Sequence, residues 1–181
     1  MSAAEAADYH DAQVRTFSGT DADMVAGFTM TYAEEAIGVA AAAKASGMPV
    51  ALSFTVETDG RLPSGEPLGD AIMRTDAATG AYPAYYMINC AHPSHFSAVL
   101  ARGEAWRHRV RGLRANASKR SHAELDALND LDDGDPDELA ADYRALLPLL
   151  PRLAVVGGCC GTDHRHVGAI CRATRSRESR H

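Results

Sequence analysis

The sequence predicts an α/β fold built on a parallel sheet. Five short runs rich in β-forming residues stand at 23–30, 50–56, 84–90, 108–118 and 152–158. Each is followed by a stretch of helical character, so the order is one leading helix and then strand–helix repeated five times. Alternation at this spacing supplies the crossover helices that parallel neighbours need. No linker or shift of composition divides the chain, so residues 1–181 read as a single domain ending in a polar tail at 175–181.

The elements follow in order. Residues 2–17 are rich in Ala and Glu, lack Gly and Pro, and predict a helix. "DMVAGFTM" (23–30) has strand length. "YAEEAIGVAAAAKASG" (32–47) is an Ala-rich helix closed by Gly47, with Glu34 and Glu35 in the first turn, where the helix dipole favours them. "VALSFTV" (50–56) reads as a strand, the Gly/Pro-rich stretch after it as a loop, and 67–78 as a helix. "AYYMINC" (84–90) is a strand and "PSHFSAVLARG" begins a helix; 108–118 is a weaker strand. "SHAE" (121–124) has the spacing of a capping box between Ser121 and Glu124. In 135–150, Asp135 is the expected N-cap and Pro136 the first helical residue. "RLAVVGG" (152–158) is the last strand and 163–174 the last helix.

Composition excludes several roles. Hydrophobic residues make up 46% and charged residues 23%, an ordinary globular balance. The net charge of −6, with acidic residues spread along the chain, argues against nucleic acid as a partner. No apolar stretch is long enough to cross a bilayer, so no membrane is expected. The acidic N-terminus lacks the regions of a signal peptide, which predicts a cytoplasmic protein. Four cysteines in such a chain are not a disulfide framework; metal ligands, catalytic thiols and core residues all remain open.

Their positions are informative. Cys90 ends one predicted strand, while Cys159 and Cys160 end another within "VVGGCCGTDHRH" (155–166). Active sites of parallel α/β folds lie at the C-terminal strand ends, so three thiols from two distant segments are expected on one rim. Three thiolates at about 2.3 Å suit Zn²⁺ and leave its fourth position open, as a catalytic site requires. Thiolate-rich zinc favours lowering the pKa of an incoming thiol over activating water. The competing readings are three buried structural cysteines, or a redox pair formed by Cys159 and Cys160. Cys171, inside the last helix, reads as core. His92, His164 and His166 flank the thiols and can either cap helices or orient a substrate.

"VVGGCCGTDHRH" together with "INCAHP" (88–93) resembles the homocysteine S-methyltransferase family, and "SFTVETDGRLPSGEPL" resembles its fifth strand and loop. That family carries Asn-Cys on the sixth strand of a (β/α)₈ barrel and Gly-Gly-Cys-Cys-Gly on the eighth. The resemblance, from about residue 22 to 173, implies a partial (β/α) barrel comprising strands four to eight, an N-terminally short member lacking the first three βα units. It implies that Cys90, Cys159 and Cys160 act through a zinc they ligate, and that Thr29, Ser53, Asn89, Asn116 and Gly158 line the substrate pocket. The implied reaction moves a methyl group from a sulfonium donor, S-methylmethionine or S-adenosylmethionine, to a thiol such as homocysteine. The alternative is a non-catalytic zinc- or thiol-binding remnant, or a truncated fragment, of the barrel. Where many members end the fourth strand with Glu-Thr, the Glu expected to hold the amino group of homocysteine, this chain has Phe28 and Thr29. Five strands cannot close a barrel, so the 23–30 and 152–158 strands are expected to be open apolar edges: either the chain forms a homo-oligomer through them, or it is a fragment of a longer reading frame and folds poorly alone.

Overall fold

The computed structural model describes residues 1–175; of the polar tail expected at 175–181, everything after Arg175 lies outside the described residues. The elements are α1 (Ala3–Ser18), β1 (Val25–Met30), α2 (Ala33–Ala45), β2 (Val50–Phe54), α3 (Leu68–Thr79), β3 (Tyr85–Asn89), α4 (Pro93–Ala101), a 3₁₀ turn (Ala105–Arg109), β4 (Val110–Ala115), α5 (His122–Asp126), α6 (Pro136–Leu146), β5 (Val155–Gly158) and α7 (His164–Arg175). The five strands form one sheet in the order β1-β2-β3-β4-β5, every neighbouring pair parallel. This is the expected partial barrel, with β1 and β5 as its two edges.

Side-chain alternation divides the sheet into two faces. Val50, Leu52, Phe54, Tyr86, Ile88, Leu113 and Ala115 join α-helical residues such as Val39, Ile72, Phe96 and Leu139 in the main core. The alternate set, including Ala26, Phe28, Tyr85, Met87, Arg114 and Val155, lines an open groove on the other face. Phe28 is 38% and Val155 37% exposed, so the edge strands meet solvent where the fully buried β2 does not.

Local signals set most element ends. Ser121 and Glu124 form the expected capping box, and Asp135 Oδ1 accepts from the N–H groups of Asp137 and Glu138. Gly38 in the Ala-rich α2 is a packing residue: a Cβ there would collide with Ala6 of α1. The helix expected over 135–150 stops at Leu146, because Pro148 has no N–H to continue the ladder; Leu147 still holds right-handed helical angles as the C-cap. The strand expected over 108–118 is trimmed to Val110–Ala115. Its start is taken by the 3₁₀ turn, pinned where Arg109 Nε and Nη2 donate to the two Asp76 carboxylate oxygens at 2.7 and 2.9 Å. Cys171 is half-buried and belongs to neither core cluster, which corrects the expectation of a core residue.

Candidate metal centre

The C-terminal rim of the sheet is laced by two asparagines. Asn89, the last residue of β3, accepts at Oδ1 from the Thr29 N–H at 3.0 Å and from Ser53 Oγ at 2.6 Å. Its Nδ2 donates to Thr29 Oγ1 at 2.8 Å. One amide thus ties the ends of β1, β2 and β3. Asn116, just after β4, donates from Nδ2 to the Cys90 carbonyl at 3.0 Å and accepts at Oδ1 from the Cys160 N–H at 3.1 Å. The second amide ties the segments that follow β3 and β5. Thr29 and Cys90 leave their strands in the left-handed region, at φ 60° and 58°. Such a conformation is strained for residues other than Gly and persists because neighbouring contacts enforce it.

This lacing brings three thiols together. The sulfurs of Cys90, Cys159 and Cys160 all lie within 4.8 Å of one another, with Cys90 and Cys160 Sγ 3.5 Å apart. Sulfurs around a tetrahedral ion at about 2.3 Å sit about 3.8 Å from each other. The three thiols therefore fit a soft metal ion, and Cys160 is exposed, which leaves room for a further ligand. Hydrogen bonding from Cys90 is the largest influence on Cys159. Opposed by burial and assisted by the Cys160 N–H, it lowers the Cys159 thiol to about 5. Cys90 is pushed up, first by its bond to Cys159 and then by burial, so Cys159 is the first thiolate of the cluster.

The loops around the thiols are tightly drawn. Thr162 Oγ1 donates to the Cys159 carbonyl at 2.6 Å, and a Cβ on Gly158 would collide with that hydroxyl. Gly157 has no such neighbour; a Cβ there would meet only the Arg114 side chain, at 3.8 Å. Tyr143 of α6, buried, accepts from the Ala115 N–H at 2.9 Å and donates to the Gly157 carbonyl at 2.7 Å, bracing β4 against β5.

Two cavities meet at the cluster. A pocket of about 260 Å³ lies between Cys90, Cys160, Asn116, His122, Leu125 and Leu128. The groove on the open sheet face, about 890 Å³, runs from Phe28 and Arg114 to Gly158, Cys159 and Cys160. Of the residues expected to line a substrate pocket, Asn116 and Gly158 face these cavities. Thr29, Ser53 and Asn89 line neither and are occupied in the polar lacing.

The flanking histidines have separate placements. His92 is the N-cap of α4, accepting from the Ser94 N–H, and burial pushes it down to about 4, so its contact with Asp142 is not an ion pair. His166 is buried and bridges Asp163 to the Asp133 carbonyl, which anchors α7. His164 is exposed at the first position of α7. Sequence reasoning passed over His122, which belongs to the site. Its Nε2 meets the Cys90 carbonyl at 2.6 Å and its Nδ1 meets Glu57 Oε1 at 3.1 Å. Both partners are acceptors, so both ring nitrogens donate only in the cation. Burial pulls the ring down, but the bonds to Cys90 and Glu57 outweigh it and the pKa is raised. The one available signal was its place in "SHAE", which specifies a helix start and not a ligand shell.

An open parallel sheet with three convergent thiols on its C-terminal rim defines a partial (β/α) barrel of the thiol-centred kind. The family model for homocysteine S-methyltransferase matches residues 1–174, and the chain belongs to that family. The fold is similar to two crystal structures of the homocysteine methyltransferase MmuM from Escherichia coli. The apo form matches with a TM-score of 0.69 and 20% identity, over 96% of this chain and 58% of that one. The oxidized form matches with a TM-score of 0.72 and 20% identity, over 96% and 53%. The chain therefore spans little more than half the length of these structures. No curated protein matches the sequence at a significant level.

Proposed function

We propose that this chain supports zinc-dependent S-methyl transfer from a sulfonium donor, S-methylmethionine or S-adenosylmethionine, to a thiol such as homocysteine. The observation that carries the reading is the convergence of Cys90, Cys159 and Cys160, from two segments about seventy residues apart, into one cluster at the rim of a methyltransferase-family barrel. These three cysteines would hold the metal. When bound, zinc supplies a lowered pKa for the incoming thiol while leaving its sulfur nucleophilic. The protein's own part is positional. Asn116 fixes the Cys90 carbonyl and the Cys160 N–H, Gly158 lets Thr162 close on Cys159, and the groove admits substrate to the exposed Cys160. In the transfer the acceptor sulfur bonds to the methyl carbon. The carbon–sulfonium bond breaks, and its electron pair stays on the donor, now a neutral thioether.

Metal analysis of protein purified without chelator, followed by methyl-transfer assays with homocysteine and each donor, tests this. Expected are one zinc per chain and detectable S-methylation. Replacing any one of Cys90, Cys159 and Cys160 by Ala should weaken zinc binding by more than about 100-fold, since losing even an outer partner of a ligand costs 10–100-fold. Cys171→Ala should leave zinc content unchanged; equal loss there would mean that the ligand set is wrong. Zinc without methyl transfer would instead favour a thiol-binding remnant, a second reading motivated by the open groove beside the thiols.

The free thiols suit a reducing, cytoplasmic setting, and no helix among the described residues is long and apolar enough to cross a membrane. The unpaired β1 and β5 edges are the surfaces through which a second copy would associate. Sedimentation should detect a concentration-dependent dimer, and a strict monomer at all concentrations would remove that part of the reading.

A further inference from the structure

The groove beside the thiols carries an unusual charge arrangement. Phe28 lies on β1, and Arg114 of β4 reaches across the open face so that its guanidinium lies 5.3 Å from the Phe28 ring centroid. Arg114 makes one hydrogen bond among the described residues, from Nε to the Gly158 carbonyl at 3.2 Å, on the residue directly before Cys159. Its two terminal nitrogens have no hydrogen-bond partner among the described residues, although they carry the fork of donors that suits a carboxylate. Arg114, Cys159 and Cys160 line the same groove. The one carboxylate in that lining, Asp163, is occupied: Oδ2 accepts from Arg165 Nε at 2.8 Å and Oδ1 meets His166 Nδ1 at 3.0 Å. Among the described residues, the groove thus offers a cation held by an aromatic face, and no available acid to receive an amino group.

We infer that Arg114, steadied by Phe28, is a specificity-determining residue that recognises a carboxylate on the thiol substrate, so that the preferred acceptor is a mercaptocarboxylate whose α-amino group is dispensable. This rests on the reading of the cysteine cluster as a thiol-activating site, but the positive charge can be probed without turnover.

The test compares alkylation of Cys159 and Cys160 by iodoacetate and iodoacetamide, followed site by site by mass spectrometry on the full chain as purified. In both reactions the thiolate sulfur displaces iodide, and only the charge of the reagent differs. Relative to wild type, Arg114→Gln should lower the iodoacetate-to-iodoacetamide rate ratio by about three- to tenfold, the range for one unit charge at a partly solvated rim. Any change in thiolate fraction affects both reagents alike and cancels in the ratio; Arg114→Lys should restore most of the ratio, and half-buried Cys171 provides the internal reference. In a second arm, 3-mercaptopropionate should protect Cys160 at concentrations at least about tenfold below those needed with cysteamine, again the size of a single charge contact. An unchanged ratio in Arg114→Gln, or better protection by cysteamine, overturns the inference. A normal charge response without methyl transfer leaves the carboxylate site standing and removes the catalytic reading. Methyl transfer with a flat charge response does the reverse.

Discussion

The two halves of the sheet rim use the same side chain for different ends. Asn89 ties β1, β2 and β3, every polar atom of its amide is engaged, and it lines neither cavity. Asn116 grips the Cys90 carbonyl and the Cys160 N–H, and it forms part of the wall of the small pocket. Both are 2% exposed, so burial does not distinguish them; their partners do. Asn89 chiefly holds the frame and reaches a single thiol, Cys159, whereas Asn116 holds the backbone of two cysteines. An amide that bonds mainly to strand ends sets the shape of the sheet, whereas one that bonds to the backbone of two cysteines sets the distance between sulfurs.

The largest loss of stability is expected on the frame side. Asn89→Ala removes three hydrogen bonds and leaves the buried Ser53 hydroxyl and the Thr29 N–H without partners, which costs about 2–3 kcal/mol. Urea unfolding should report that loss while zinc stoichiometry in the folded protein stays at its wild-type value. Asn116→Ala should invert the pattern, with about 1–2 kcal/mol of stability lost but zinc affinity reduced about 10–100-fold, as for partners that orient ligands. If both variants lose stability and zinc in the same proportion, the rim has no division of labour.

The glycine pair after β5 sharpens the same contrast at single-residue resolution. Gly158→Ala drives a methyl into Thr162 Oγ1, which holds the Cys159 carbonyl, and should cost about 1–3 kcal/mol along with zinc affinity. Gly157→Ala would make only ordinary van der Waals contact with the Arg114 side chain, and Gly157 is not in the left-handed region, so the effect should stay within about 0.5 kcal/mol. Thermal unfolding of the two variants side by side separates them, and equal shifts would mean that the loop yields more easily than its packing implies.

The sheet and the thiols were legible because their signals are local. β-forming runs, the Ser121–Glu124 capping box, the Asp135 cap and cysteines at strand ends each follow from a few adjacent residues. The rest depends on partners remote in sequence. His122 meets a carbonyl 32 residues away, Tyr143 braces a strand 28 residues away, and Thr29 pairs with an amide 60 residues away. The left-handed turns at Thr29 and Cys90 are equally invisible, since neither residue type prefers that region and only the tertiary lacing enforces it. For that reason the family resemblance implied a pocket role for Thr29, Ser53 and Asn89, while their side chains meet one another.

The most local effect is expected at His122, where the contrast between frame and thiol support reaches its limit. The five-residue α5 buries no residue of its own, so packing contributes little to its position. What fastens it to the rim is His122, through the Cys90 carbonyl and Glu57. That carbonyl also accepts from Asn116 and, at 3.4 Å, from Thr55 Oγ1, so removing the imidazole leaves it satisfied. His122→Ala should therefore cost only about 1 kcal/mol globally, because the Cys90 carbonyl stays satisfied and the ion pair with Glu57 is partly exposed. The loss should be concentrated in the segment that carries the apolar wall of the small pocket, Leu125 and Leu128. Hydrogen exchange followed by mass spectrometry should show peptides covering 119–131 exchanging about fivefold faster, the factor for about 1 kcal/mol of local opening, while β2 and β3 keep their protection. Faster exchange across the whole sheet would place His122 with Asn89 in the frame. An unchanged segment would mean that α5 is held by contacts other than its histidine.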